Sequence, residues 1–370
     1  VRRLTADEVR DILVGGGILG CGGGGLLTEG LKALDRAVKQ GFDFELAELD
    51  ELPPETMTAC PYGVGGMTAD HDDPRYARLP QVKEHPAVVA TKVLQGHLDT
   101  TFGAILSGEL GGETLMDAFS VAGALGVPVL DADTAGRAVP EAQHSMLYVH
   151  GVPLLPQAFA TEFGDTGVFT SVVDDFRDDA LLRGLATVSR NCVWVADHAV
   201  PVRRLKGAVV PGSISQALAV GRAYREALEE GDVAAAVAEA GNGFVLMRGA
   251  VEQASWEDTG GFTFGEFTVV GDSPFGGSRL RIWYKNENHI SWLDDEPFVT
   301  TPDLLLALNE DAGEPLTNPN ATAGMRVAVV GLPAPLMWRE ERALRLFCPR
   351  SFGFDLNYRP MEEALERKPA

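Results

Sequence analysis

Eight of the twelve residues from Val14 to Gly25 (Val-Gly-Gly-Gly-Ile-Leu-Gly-Cys-Gly-Gly-Gly-Gly) are glycine. Glycine is costly to order, so a folded chain concentrates it where the backbone needs positive φ or where another group must come close. The residues that follow are apolar at helical spacing (Leu26, Leu27, Leu31, Leu34, Val38). A glycine loop opening into a helix is therefore expected, with Gly22, Gly23, Gly24 and Gly25 offering N–H groups to an anion or oxyanion. A tight turn where two elements cross is the competing reading. Gly20, Gly22 and Gly25 also fit G-x-G-x-x-G, but that pattern signals dinucleotide binding only directly after a strand. Here Thr5 and Glu8 have capping-box spacing and Val9, Ile12 and Leu13 share a helical face, so a helix precedes it. A phosphate loop needs Gly-Lys-Ser/Thr, and Gly25 is followed by Leu26-Leu27. No nucleotide cofactor is expected.

At 370 residues the chain suits two domains, and 45% hydrophobic residues suffice for ordinary cores. The formal charge of −22 argues against nucleic acid or an anionic membrane surface as partner, since both need a basic footprint. No apolar run reaches the length of a membrane span, and the N-terminus runs into the capped helix without an apolar signal region. Cys21, Cys60, Cys192 and Cys348 are far apart and form no C-x-x-C, so neither a zinc ribbon nor a disulfide framework is indicated. A cytoplasmic protein is the simplest fit, and a homo-oligomer is left open.

Downstream, Phe42 to Leu46 alternates as a strand, Met57 to Tyr62 reads as a short buried strand, and Thr68 to Pro80 as a polar loop. Asp70, His71, Asp72 and Asp73 in that loop are either ligands for a hard cation or a solvated turn. Pro86 starts a helix. The strand Phe102 to Ser107 runs into the turn Gly108-Glu109-Leu110-Gly111-Gly112, then a helix to Leu125, then the strand Val127 to Leu130 and Asp131-Ala132-Asp133. This strand–helix rhythm predicts a mainly parallel sheet covered by helices, a three-layer α/β domain. Ligands of such sheets bind beyond the carboxyl ends of the strands, where Glu109, Asp131 and Asp133 fall. In the next loop, Arg137 and Glu141 serve either as orienting cation and acid–base group or as a structural i,i+4 pair. His144 and His150 follow as secondary candidates.

A strand, a helix and a second strand are expected over Val168 to Val200, with Ser213 as the candidate N-cap of a long helix. After Gly243 short strands and turns follow closely, predicting a β-rich second domain of barrel or sandwich type. Asp303 to Leu308 reads as a short helix. Asn286 and Asn288 either face the interdomain cleft or serve a hairpin turn. The expected division is 1–165 for the α/β domain, 166–242 completing or linking it, and 243–370 for the β-rich domain.

An ordered set of segments carries a family resemblance: Leu19 to Gly25, Glu109-Leu110-Gly111-Gly112, Val129 to Asp133 with Gly136-Arg137-Ala138 and Pro140-Glu141, Val210 to Ser215 with Gly221-Arg222-Ala223, Thr259 to Phe262, Lys285 to Asn288, Gly331 to Ala334, and Pro349 to Asp355. Together they resemble the S-methyl thiohydantoin desulfurase family over nearly the whole chain. The resemblance implies an N-terminal α/β domain, a C-terminal β-rich domain, and hydrolysis of S-methyl thiohydantoin to hydantoin and methanethiol in heterocycle catabolism. The chain departs from the family near position 65, where Gly65 to His71 replaces a Gly-x-Pro segment followed by Glu-Lys.

For that chemistry a base is needed to add water to the sulfur-bearing carbon, and N–H donors would steady the adduct. Asp131, Asp133 or Glu141 is the expected base and Arg137 the orienting cation. Gly22 to Gly25, Glu109, Gly111, Gly112, Asn286 and Asn288 would hold the substrate, a small heterocycle. A divalent metal that activates water is compatible with this chemistry, and Cys21 is an alternative nucleophile. The competing functions are another hydantoin-type ring amidohydrolase and a non-catalytic binding protein.

Overall fold

The computed structural model describes residues 1–66 and 74–366. The Asp70–Asp73 cluster and most of the departure beyond Gly66 lie outside the described residues.

The chain opens with a short strand, β1 (Arg2–Leu4), and then the capped helix α1 (Ala6–Leu19). Thr5 Oγ1 accepts the Glu8 N–H at 3.1 Å and Glu8 Oε2 accepts the Thr5 N–H at 2.9 Å, the reciprocal capping box. The helix does not stop at Val14. It runs through Gly15, Gly16 and Gly17, so half of the glycine-rich stretch is helical rather than loop.

The reason is a backbone-to-backbone crossing with a helix from much later in the chain, Ser213–Glu230. A Cβ on Gly15 would overlap the carbonyl of Ala217, and one on Gly221 would overlap the carbonyl of Asp11. Asp11 flanks the crossing and takes a bidentate bond from Arg225, at 2.9 and 3.1 Å. Gly221→Ala should therefore destabilise the protein. Alanine gains about 1 kcal/mol in helix propensity, but overpacking costs about 1–3 kcal/mol and more where the obstacle is rigid backbone. Thermal unfolding should show a Tm several degrees lower, and an unchanged Tm would refute the contact.

The first domain is built on the strands β2 (Phe44–Ala47), β3 (Thr58–Gly65), β4 (Ala104–Ser107), β5 (Val129–Asp133), β6 (Gln157–Ala160), β7 (Thr166–Phe169), β8 (Cys192–Asp197) and β9 (Val210–Pro211). Their order is β1-β2-β5-β4-β3-β8-β6-β7, with β9 beside β5. The pairs β2–β5, β5–β4 and β4–β3 are parallel, and antiparallel strands flank this core.

The helices α2 (Leu27–Gln40), α3 (Pro86–Leu98), α4 (Thr114–Leu125) and α6 (Asp175–Thr187) cover the sheet, α4 being buried from Thr114 to Ala122; a one-turn helix, α5 (Met146–Val149), sits between α4 and α6 in the chain. The alternation of β8 sorts them. Val193 and Val195 pack with Leu182 and Ala186 of α6, whereas Trp194 and Ala196 join the core that includes α3. Helix α7 (Ser213–Glu230) and α8 (Val233–Ala240) complete the layer.

From Phe244 on the chain forms one antiparallel sheet. Its strands are β10 (Phe244–Thr259), β11 (Phe262–Gly271), β12 (Arg279–Lys285), β13 (Glu287–Leu293), β14 (Glu296–Thr300), β15 (Leu304–Asn309), β16 (Glu314–Pro315) and β17 (Arg326–Leu332), in the order β14-β13-β12-β11-β10-β17-β15-β16. The short helix expected at Asp303 to Leu308 is instead β15. Leu304, Leu306 and Leu308 pack into the core shared with the first domain, and Leu305 and Ala307 into the sheet's own core. A strand buried on both faces has no polar alternation, which is why its apolar run also suited a helix. This two-faced strand makes the domain seam a continuous apolar core.

Candidate active site

A cavity of about 690 Å³ lies at that seam. The carboxyl ends of β4 and β5 supply one wall, through Gly108-Glu109 and the loop from Thr134 to Ala142. Strand β3, the segment Ser189 to Trp194 and His198 supply another, and Asn286, Glu287 and Asn318 close it from the second domain.

The glycine turn Gly20–Gly25 forms the remaining corner because three chain segments cross there. Gly24 passes so closely over Gly111 that a Cβ on either would strike the other's backbone. The Gly24 carbonyl accepts the N–H of Glu113 at 3.1 Å and of Thr114 at 3.4 Å, and Glu113 Oε2 accepts the N–H of Leu26 at 3.1 Å. From the second domain, Asn288 and Asn318 donate their N–H groups to the carbonyls of Cys21 and Gly22, at 2.8 and 2.9 Å. Glu287 lies directly on Gly23, where a Cβ would collide with its carboxyl. Gly24 and Gly25 line the cavity, and their N–H groups make no hydrogen bond among the described residues.

The sequence candidates divide sharply. Asp131 anchors the first turn of α7, accepting the Ser215 N–H at 2.8 Å and the Ser215 hydroxyl at 2.5 Å. Asp133 is fully buried and accepts the N–H groups of Ala135 and Gly136 at 2.7–3.0 Å, a turn-capping arrangement. Burial pushes its carboxyl up to about 7 against those bonds. Neither aspartate lines the cavity, and both serve the backbone.

Arg137 is also fully buried away from the cavity, donating to the carbonyls of Asn288, Pro302 and Asp303 and to Thr301 Oγ1, at 2.9–3.3 Å. It ties the two domains together rather than orienting a reacting group. Cys21 is buried with its thiol donating to the Leu19 carbonyl at 3.3 Å, and burial pushes its pKa up, the opposite of an activated nucleophile.

Gly22, Gly23, Gly111 and Gly112 shape the crossing without lining the cavity, and Asn288 spends its side chain within the second domain on Leu305 and Asn318 while its backbone bonds Cys21 and Arg137 across the seam. Asn286 lines the cavity but spends its side chain on the Thr263 N–H. Glu141 lines it too, bonded to Lys285 and, at 2.6 Å, to Gln143. His144 is buried against Phe347, and His150 bonds Arg342 near the surface.

Glu109 does reach the cavity. Its carboxylate accepts the Val139 N–H at 2.8 Å and the Thr114 hydroxyl at 3.0 Å. Burial raises its pKa to about 7, more than those bonds lower it. Glu287, only 2% exposed, is pushed well above the ordinary range by burial and then by the charge of Glu109.

Sequence reasoning missed Glu287 and a second group, on the wall that β3 helps to build. His198 Nδ1 lies 2.7 Å from Asp197 Oδ1, while Asp197 Oδ2 accepts the Tyr62 hydroxyl at 2.7 Å and the Gln157 amide at 3.1 Å. His198 Nε2 is buried and has no hydrogen-bond partner among the described residues. His198 also adopts φ 43°, a left-handed conformation uncommon for a non-glycine residue. The available signal was the adjacent Asp-His pair, which lies inside the strand expected to reach Val200; Asp197 is the observed strand's last residue. Among the described residues no group of three or more His, Cys, Asp or Glu is arranged to hold a metal ion.

Fold and site define a two-domain protein, α/β followed by an antiparallel sheet, with an acid-lined cavity between the two. The model for the S-Me-THD-like N-terminal domain matches residues 7–171 and that for the S-Me-THD-like C-terminal domain matches residues 173–361. The chain belongs to the S-Me-THD-like family. It is similar in fold to an X-ray crystal structure of a protein from Chromobacterium violaceum, with a TM-score of 0.74 over 98% of this chain and 100% of that one, at 21% identity. No curated protein matches the chain. No helix among the described residues is long and apolar enough to cross a membrane.

Proposed function

We propose that the protein hydrolyses S-methyl thiohydantoin-type heterocycles to the hydantoin and methanethiol. The family name suggests desulfurase chemistry, and one observation carries the reading to this site. His198, held by Asp197 and with its buried Nε2 unpartnered among the described residues, lines a cavity that is also lined by Glu109, a carboxyl raised by burial to about 7. A base and an acid with separated environments in one cavity are what water addition to a C=N bond requires.

In the proposed reaction His198 Nε2 takes a proton from water as the oxygen bonds to the sulfur-bearing carbon. The C=N electron pair moves to the ring nitrogen, which takes a proton from neutral Glu109. Collapse of the adduct returns the hydroxyl proton to Glu109, forms the C=O bond and breaks the C–S bond. Methanethiolate leaves with the proton held on His198. Both side chains regain their starting states, with one water consumed.

The test is methanethiol release from S-methyl thiohydantoins, with and without chelator. Because Glu109 must be protonated to act, kcat/KM should fall as pH rises through about 7, and Glu109→Gln should remove that limb. An alkaline limb that survives in the variant assigns it to another group. Ring-opened product without thiol would favour the amidohydrolase alternative, and ligand binding without product the binding-protein one.

A further inference from the structure

The charges of the cavity wall do not balance locally. Its arginines are committed to other acids and carbonyls: Arg183 bonds Asp179 and the carbonyls of Gly65, Pro140 and Gly261, and Arg190 Nη1 bonds both oxygens of Glu162, its buried Nε having no hydrogen-bond partner among the described residues. Glu109 and Glu287 have no Arg or Lys partner among the described residues. The nearest ring nitrogen to Glu287 is His289 Nε2 at 3.9 Å, and burial keeps that histidine well below its ordinary pKa and hence neutral. Glu287 Oε2 is buried without a hydrogen-bond partner among the described residues.

The two carboxyls belong to one corner. Glu287 sits on Gly23, the next residue Gly24 bonds Thr114, and the Thr114 hydroxyl bonds Glu109. An unsatisfied buried carboxyl is expensive unless a ligand completes it.

We infer that Glu109 and Glu287, one from each domain, bind the N–C–N edge of a cyclic amidine-type ligand, so that the cavity selects basic cyclic isothioureas and guanidines over acidic imides of the same shape. Neutral carboxyl groups each offer a donor and an acceptor, which matches the N–H and the lone pair of a neutral amidine edge. A protonated edge would meet carboxylates through charge-assisted bonds. An imide whose N–H ionises would bring negative charge against both acids. The inference rests on the desulfurase reading and makes Glu287 a specificity residue for it. It also explains how the hydantoin product is released, since hydantoin has lost the basic edge.

Isothermal titration calorimetry on the full chain, with a five-membered cyclic guanidine and with hydantoin, tests it without turnover. The guanidine should bind at least about tenfold more tightly than hydantoin. Glu287→Gln and Glu109→Gln, each confirmed folded by thermal melting, should each reduce that preference about tenfold or more. Equal affinities in the wild type, or a preference that survives in both variants, would overturn the inference. Turnover of S-methyl thiohydantoins is scored separately. Selective guanidine binding without methanethiol release removes the desulfurase reading and leaves the recognition, whereas release without selectivity does the reverse.

Discussion

His198→Gln should lower methanethiol release by about 10²–10⁴-fold, the usual contribution of a positioned general base, while the protein still melts cooperatively. Glutamine fills much of the imidazole volume and can donate to Asp197, which retains the Tyr62 and Gln157 bonds. What it cannot supply is the basic Nε2. Asp197→Asn should also slow turnover, because the histidine would lose the carboxylate that fixes its tautomer and orientation. Asp131→Asn and Asp133→Asn give the contrast: both carboxylates are spent on backbone or Ser215 donors, so their loss should appear in Tm before it appears in the chemical step. Near-normal rates in His198→Gln would move the base elsewhere, with Glu109 next in line.

Gly23→Ala is the second large effect. The new methyl group would occupy the space of the Glu287 carboxyl, with its Cδ and Cγ only 2.6 and 2.7 Å from the added atom. A side chain can yield where a backbone cannot, so the variant should fold with Glu287 displaced. Misplacing a binding group by about 1 Å can cost on the order of 10²-fold, and a loss of that order in kcat/KM is expected. The glycine-turn N–H groups and Glu287 are separable by a double variant. If Gly23→Ala acts by moving Glu287, its effect should largely vanish in a Glu287→Gln background. Full additivity would assign the loss to the turn itself.

These residues also show what was readable in the sequence. The Thr5–Glu8 cap, the parallel strands ending at Ser107 and Asp133, and the change to antiparallel strands after α8 all follow from local patterns: cap spacing, strand–helix rhythm and closely spaced turns. Gly15 to Gly17 misled because a glycine in a loop and one at a helix crossing look alike, and the partner, Gly221, is some 200 residues away. Leu304 to Leu308 misled because burial on both faces erases periodicity.

The site was harder for a related reason. Position beyond a strand end brought Glu109 to the cavity and left Asp131 and Asp133 beside it, and which way a carboxylate turns depends on nearby donors. Ser215 and the 134–136 turn capture the two aspartates. Glu287 and His198 reach the cavity only through domain apposition and the pairing of β8 with β3, neither of which is encoded in local spacing.

The central claim, hydrolytic desulfuration in the seam cavity, is tested most directly by turnover in heavy-oxygen water. Wild-type protein should release one methanethiol per hydantoin, with the ring intact and the label in the new carbonyl, and folded His198→Gln should do so at a small fraction of the rate. Ring-opened product, unlabelled hydantoin, or an undiminished rate in that variant would contradict it.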